Sequence, residues 1–555
     1  MPFWVAVVAE PERGGASLDG GSPVSIETSA TVSSATVHAA LEARLGHVVQ
    51  AAGPADELLE VIPRDALPRA VEVLIELGAV HVMLLGLDLR GLDPDGALGV
   101  EEVMAVPAGP VVRLRSSVAV ARPTFRSITP LLAAAQWDER EAHDLFGMVP
   151  AGHPDLRPLV IHEPIGGLPH PLLKIPPSRD TPPAPPFRSF VAHGEGVYEL
   201  PVGPIHAGII EPGHFRFSAV GESILHLDAR LFYAHRGIEK LVEGCTFERA
   251  LAIVERSCGV CTVTHATAFS RAVERLTGTI APRRARLARV LLAEMERLYN
   301  HVGDLGNICA GVGFHFGTAR LGWQKERLQR LNEALTGHRF LTGMVVPGGL
   351  RSELDPDVLA PLAANMRAID HDVRAIVRRL VRSDGLMNRL HGTGIVSAAK
   401  ARRLGAVGVS ARASGLAADL RVDRPADGYE ELSIPVVTQA SGDAAARFHV
   451  RAQEAAISAG IIRDLAERLP AGPVRAPLAS EAEPGASTLA AAEGPRGASW
   501  LWLMAGAGGR VERLHLRSGS FANWPVVAAA VPGNLVPDFP VINKSFELCY
   551  ACTDR

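Results

Sequence analysis

Across 555 residues there are only six cysteines. That is too few for a disulfide framework, so the fold must rest on a packed core. Aromatic residues are scarce as well, at 5%, yet the hydrophobic total reaches 47%, enough for a sizeable interior. Neither sign of charge dominates, with 56 Lys and Arg against 60 Asp and Glu. Without a strong field, nucleic acid is not an expected partner. Long apolar runs are missing too. The longest, residues 73–89, is broken by Glu76 and His81 and falls short of a bilayer span. The opening MPFWVAVVAEPERGG lacks the basic stretch that precedes the apolar core of a secretory signal. A cytoplasmic polypeptide is expected, meeting a membrane only through partners. No glycine-rich loop stands between a strand and a helix, so no nucleotide is expected.

The chain that remains divides in two. Up to residue 163 it predicts a small α/β domain. VVRLRSSVAV (111–120) alternates like a strand, and QWDEREAHDLFG (136–147) has helical spacing with Gly147 as its stop. Nine prolines crowd into 164–186, forbidding helix and central strand. Residues 164–193 therefore read as a connector. From 194 to 555 apolar residues recur at helical spacing over 283–305, 320–335, 357–383 and 445–469, predicting a larger, mainly helical domain. The Ala-, Pro- and Gly-rich stretch 471–498 reads as a long loop, and RVERLHLRS (510–518) as a strand. The fold class is thus α+β.

Chemistry concentrates in the cysteines. Cys258 and Cys261 form one C-x-x-C, Cys549 and Cys552 another, and about half the chain lies between them. In each pair a turn brings two soft thiolates onto one centre, and four of them could hold zinc, an iron–sulfur cluster or nickel. Cys245 and Cys309 stand alone and read as small buried apolar residues.

The flanking residues narrow this choice. ERSCGVCTVTHA (255–266) and SFELCYACTDR (545–555) resemble the two metal-binding signatures of nickel–iron hydrogenase large subunits. GPIHAGIIEPGHFRF (203–217), RLFYAHRGIEKL (230–241), ERLYNHVGDLGNICAG (296–311), ARASG (411–415) and EGPRG (493–497) extend the likeness to the membrane-associated, complex I-related enzymes of the formate hydrogenlyase and hydrogenase-4 type. WDEREAHDLF and GHPDLRP (137–146, 152–158) are similar to the C-type hydrophilic-arm component of complex I, and 194–555 to its D-type, quinone-site component.

That resemblance implies a Ni-Fe centre whose iron carries CO and cyanide. Cys258 and Cys549 would be terminal nickel ligands, with Cys261 and Cys552 bridging to iron. Cys549 would be the first proton acceptor and Glu211 a relay carboxylate, if an insertion at Pro212 is allowed; the plainer reading of Glu211 is a capping residue. Arg496 in EGPRG would stand over the centre and act electrostatically, since a guanidinium is always protonated. His265, four residues beyond Cys261, would donate to a bridging thiolate or else be a satisfied core histidine. Glu547 and Leu548 stand where the family has aspartate and proline, so a carboxylate is retained. Arg555 replaces a histidine that helps bind magnesium in other members, so no such site is expected through it.

No iron–sulfur cluster is expected on this chain. The resemblance implies a small subunit that holds a 4Fe–4S cluster, ferredoxin-like and antiporter-like membrane subunits, maturation proteins, and a place on the inner face of the cell membrane. The acidic run DEREAHD (138–144) would be a solvated face or, by resemblance, a docking surface for that small subunit. Two other readings stand beside the hydrogenase: a complex I C/D-type quinone reductase component, which has no use for four cysteines, and a structural arm protein with a zinc site.

Overall fold

The computed structural model describes residues 32–51, 54, 56–92, 97–162, 170–175, 188–207 and 210–555. The apolar opening and most of the proline-rich connector (163–169 and 176–187) lie outside the described residues.

The N-terminal layer is a five-stranded sheet of β1 (Val49–Ala51), β2 (Glu57–Ile62), β3 (Val80–Asp88), β4 (Leu98–Ala105) and β5 (Val111–Val118), in the order β1-β2-β5-β4-β3. Only the β2–β5 pairing is parallel. Helices α1 (Ser34–Leu45), α2 (Leu67–Glu76) and α3 (Gln136–Phe146) accompany it. The apolar tract at 73–89 is thus the end of α2 followed by β3. Among the described residues no helix is long and apolar enough to cross a membrane. Gly147 ends α3 with φ 69°, a left-handed turn that glycine adopts without steric penalty.

The rest of the chain is built on long helices. A meander of β6 (Val197–Val202), β7 (His214–Val220) and β8 (Ser223–Arg230) precedes α4 (Thr262–Thr277), α5 (Arg283–Gly311), α6 (His315–Thr336), α7 (Pro356–Val381) and α8 (Ala444–Arg468). The antiparallel strands β9 (Ser487–Gly494), β10 (Gly497–Gly506) and β11 (Arg510–Arg517) follow, then α9 (Gly519–Ala530), α10 (Phe539–Phe546) and α11 (Tyr550–Asp554). The stretch expected to be a loop to residue 498 therefore turns into strand at Ser487. Its alanines carry little strand signal of their own, and pairing with the WLWLM run of β10 imposes the conformation.

The small N-terminal layer packs closely against the larger helical part. Residues Val32–Arg555 make one compact unit. Met83, Leu85 and Leu87 of the first sheet pack against Trp500, Trp502 and Met504 of β10. Polar bonds stitch the same interface. The buried Arg113 donates to Glu101, Glu57 and the carbonyl of Ser487, and the Trp502 indole donates to Glu101 at 2.9 Å. With both faces of the sheet covered, β5 is buried almost throughout rather than alternately.

The acidic face of α3 is neither solvated nor free for docking. Asp138 accepts from Arg517 and the Leu84 amide, Glu139 from Ser127, Thr129 and the Ile128 amide, and Asp144 from the Leu159 and Val160 amides. Glu141 pairs with Arg555 at 2.7 Å. Each carboxylate is engaged inside the chain because burying it requires such partners. Of the lone cysteines, Cys309 is fully buried as expected. Cys245 is only half-buried, its thiol donating to the Leu241 carbonyl at 3.3 Å.

Glu101 tests this stitching. Burial would raise its pKa, but Arg113 and Arg115 hold it down at about 2 against an ordinary value of 4.5. Glu101→Ala should destabilise the fold by about 3–5 kcal/mol, because it strands a buried guanidinium. A lowered carboxylate pKa stabilises above the unfolded value and loses that effect as acid protonates it. The wild-type advantage in thermal midpoint should therefore be full above pH 4.5 and fade as pH falls towards 2. An advantage that held constant down to pH 2 would contradict this account.

Candidate metal centre

Residues 258–261 and 549–552 meet in the interior. Cys258 is in extended backbone, and Cys261 stands at the cap of α4, whose first turn carries His265. On the other side α10 ends at Glu547, a non-glycine residue in left-handed conformation (φ 50°), which redirects the chain into Cys549 at the start of α11. The sulfurs of Cys258, Cys261 and Cys552 and a ring nitrogen of His265 all lie within 4.8 Å of one another. Cys549 completes the same buried cluster, its sulfur accepting the Cys552 amide at 3.2 Å.

Without a cation this cluster resists ionisation. Burial pushes the Cys258 thiol up, Cys258 beside it pushes Cys549 to about 12, and burial raises Cys552 well above the ordinary range. Hydrogen bonding from Cys258 and Cys552 lets Cys261 alone fall, to about 6. Four soft donors, buried and unable to ionise together, fit a thiophilic metal that would neutralise them. Burial depresses His265 to about 4, so the imidazole is neutral. Its Nε2 lies 3.2 Å from the Cys552 sulfur, and among the described residues its Nδ1 has no hydrogen-bond partner. The proton therefore belongs on Nε2, facing the sulfur.

The other sequence-nominated residues surround this cluster. Glu211 Oε2 lies 3.9 Å from the Cys549 sulfur and accepts the Tyr550 and Ala551 amides at 3.0 Å each. It is thus a cap and a neighbour of the thiol at once, and burial followed by Cys549 raises its pKa. Arg496 sits in the two-residue turn between β9 and β10. Its guanidinium donates to Asn300 Oδ1 at 2.8 Å, Asp304 Oδ1 at 3.0 Å and the Glu547 carbonyl at 2.8 Å. Glu547 therefore meets Arg496 through its backbone. Its carboxylate is 3.4 Å from the Asn307 amide and 3.8 Å from the Lys544 ammonium. Arg555 is further off, its guanidinium on Glu141 and Glu239.

Sequence reasoning passes over Arg236, Glu296, Asn300 and Asp304. Glu296, Asn300 and Asp304 recur every four residues on α5, a polar stripe down a buried helix, and that period is the available signal. Glu296 accepts the Val263 and Thr264 amides at the start of α4.

Known proteins resemble this chain over most of its length. Residues 236–305 match the family described as nickel-dependent hydrogenase. Residues 318–486 and 478–555 match the 49 Kd subunit of respiratory-chain NADH dehydrogenase, and 61–182 its 30 Kd subunit. Formate hydrogenlyase subunit 5 of Escherichia coli (strain K12) is 34% identical over 90% of this chain and 89% of its own. Hydrogenase-4 component G of the same organism is also 34% identical, over 78% and 76%. The membrane-bound sulfane sulfur reductase, an archaeal respiratory membrane complex, contains a chain 26% identical with TM-score 0.62, covering 66% of this chain and 100% of that one. This chain belongs to the complex I-related nickel–iron hydrogenase large subunits of the formate hydrogenlyase and hydrogenase-4 type.

Replacing Cys552 by serine exchanges one soft sulfur donor for a hard hydroxyl. Nickel measured in purified Cys552→Ser protein, produced with its maturation proteins, should drop to background while the circular dichroism spectrum is retained. Wild-type nickel content would show that this cysteine is no ligand.

Proposed function

We propose that this chain is the catalytic large subunit of a membrane-associated hydrogenase, interconverting 2H+ + 2e− with H2. The observation that supports it most directly is the convergence of both C-x-x-C pairs beside Arg496 and Glu211. A zinc clamp would need only the sulfurs. A quinone site would need none of them.

Cys258, Cys261, Cys549 and Cys552 would hold the Ni-Fe centre, whose iron would carry CO and cyanide. That group, when bound, supplies the redox chemistry of H2. The protein residues supply proton handling and charge. Cys549 holds a proton on its sulfur and exchanges it with Glu211 Oε2, whose raised affinity suits it to take one. Arg496 keeps a fixed positive charge at the site, because Asp304 counters the burial that would discharge it. His265 donates to the Cys552 sulfur and fixes its lone-pair direction.

Electrons would leave through a partner small subunit with a 4Fe–4S cluster, beside ferredoxin-like and antiporter-like membrane subunits, after maturation proteins load the centre. The whole would sit on the inner face of the cell membrane. The region to residue 163 would act as the C-type arm component and 194–555 as the catalytic part.

Protein produced with its maturation proteins should contain nickel and iron near one each and show infrared bands of bound CO and cyanide. Zinc in place of both metals would overturn the reading. In the same preparation Glu211→Gln should keep the metals yet slow H2 turnover by about 10²–10⁴-fold, as expected when a proton-transfer group is lost. Turnover at the wild-type rate would move the relay to another residue.

A further inference from the structure

Four backbone carbonyls flank the cysteines, and two side-chain bridges grip them in pairs. The guanidinium of Arg236 donates from Nη2 to the carbonyl of Ser257 at 2.7 Å and to that of Ala551 at 2.9 Å. Those carbonyls immediately precede Cys258 and Cys552. The second bridge has two members. The Asn300 amide donates to the carbonyl of Val260 at 2.9 Å, and its oxygen accepts from Arg496, which donates in turn to the carbonyl of Glu547. Val260 immediately precedes Cys261, and Glu547 lies two residues before Cys549. Each bridge joins the first cysteine loop to the second, and neither passes through a sulfur.

We propose that Arg236 and Asn300 are positioning residues, forming two braces that fix the spacing of the cysteine pairs before any metal arrives. The inference rests on the hydrogenase reading for which metal is natural, though not for the braces themselves. The chemistry of both positions is specific. Asn300 must donate to a carbonyl and accept from a guanidinium at once, which an amide does and a carboxylate or aliphatic group does not. Arg236 spans two carbonyls with one planar nitrogen fork, where a lysine would offer a flexible point charge. Glu296 supports the same arrangement by holding the first amides of α4, directly behind Cys261. A ligand cage whose spacing is set in advance binds metal without first having to order its loops.

The test uses the full-length chain purified without maturation proteins and titrated anaerobically with Co2+, whose visible bands report tetrahedral thiolate ligation. Wild type should bind one Co2+ with intense thiolate charge-transfer absorption. Arg236→Ala and Asn300→Ala should each bind about 10–100-fold more weakly with altered bands, the range expected for outer partners of metal ligands. Arg236→Lys should recover part of the loss and Asn300→Asp none. Arg236 is exposed, so its variants keep the test open if Asn300→Ala fails to fold by circular dichroism. Wild-type affinity and spectrum in both alanine variants would overturn the proposal. Wild type that binds Co2+ as described, but never acquires nickel when its maturation proteins are present, would count against the hydrogenase reading and leave the braces standing.

Discussion

Four thiols share one dry point, and much of the surrounding structure answers to that. A buried thiolate is tolerable only beside positive charge or N–H donors, and four of them exceed what a fold supplies unaided. The protein contributes what it can: the Cys552 amide to Cys549, the His265 ring to Cys552, and the fixed charge of Arg496 nearby. A metal would complete the balance. The segments that bring these sulfurs together are short, and carbonyls such as those of Ser257, Val260 and Glu547 are met by side-chain donors.

Arginine is the recurring answer to such carbonyls. Arg451 donates to the carbonyls of Ser545 and Phe546, where α10 runs out before the second cysteine pair, and to Asp304. Arg297 reaches Glu493 and Gly494 beside the turn that carries Arg496. Arg140 serves Arg157 and Pro158 in the same way. A guanidinium suits this work because its planar fork meets two acceptors and its charge survives burial. Carboxylates follow it into the interior, as Asp304 accompanies Arg496 and Arg451. The polar lattice around the site is therefore one system rather than a set of separate pairs.

This lattice explains what is legible in the sequence. The long helices announce themselves by period: the tract at 283–305 is α5 and the tract at 445–469 is α8, with ends displaced by a few residues. The cysteine pairs are legible as chemistry, because two C-x-x-C spacings stand out in a chain so poor in cysteine. Residues acting through backbone carbonyls are not. Arg236 and Asn300 bond atoms that every residue possesses, so no pattern of side chains betrays their partners. The acidic run on α3 misleads for a related reason. Its charges are those of a solvated helix, and only distant partners such as Arg517 and Arg555 make burial tolerable.

Those same partners give the N-terminal layer a structural part in the site. Arg555 lies three residues beyond Cys552, and its guanidinium rests on Glu141 of α3 and on Glu239. Glu239 also receives Arg513 of β11, and Arg517 of that strand reaches Asp138 of α3. Removing α3 would leave Arg517 without Asp138 and Arg555 without Glu141, in an interior where uncompensated charge costs several kcal/mol. The strain would fall on the segment that carries Cys549 and Cys552. Asp554 adds to this hold, its carboxylate accepting the Phe232 and Ala234 amides a few residues before Arg236. The layer that resembles a separate component of a respiratory complex thus reaches the C-terminal segment through Glu141, whose partner Arg555 follows the second cysteine pair by three residues.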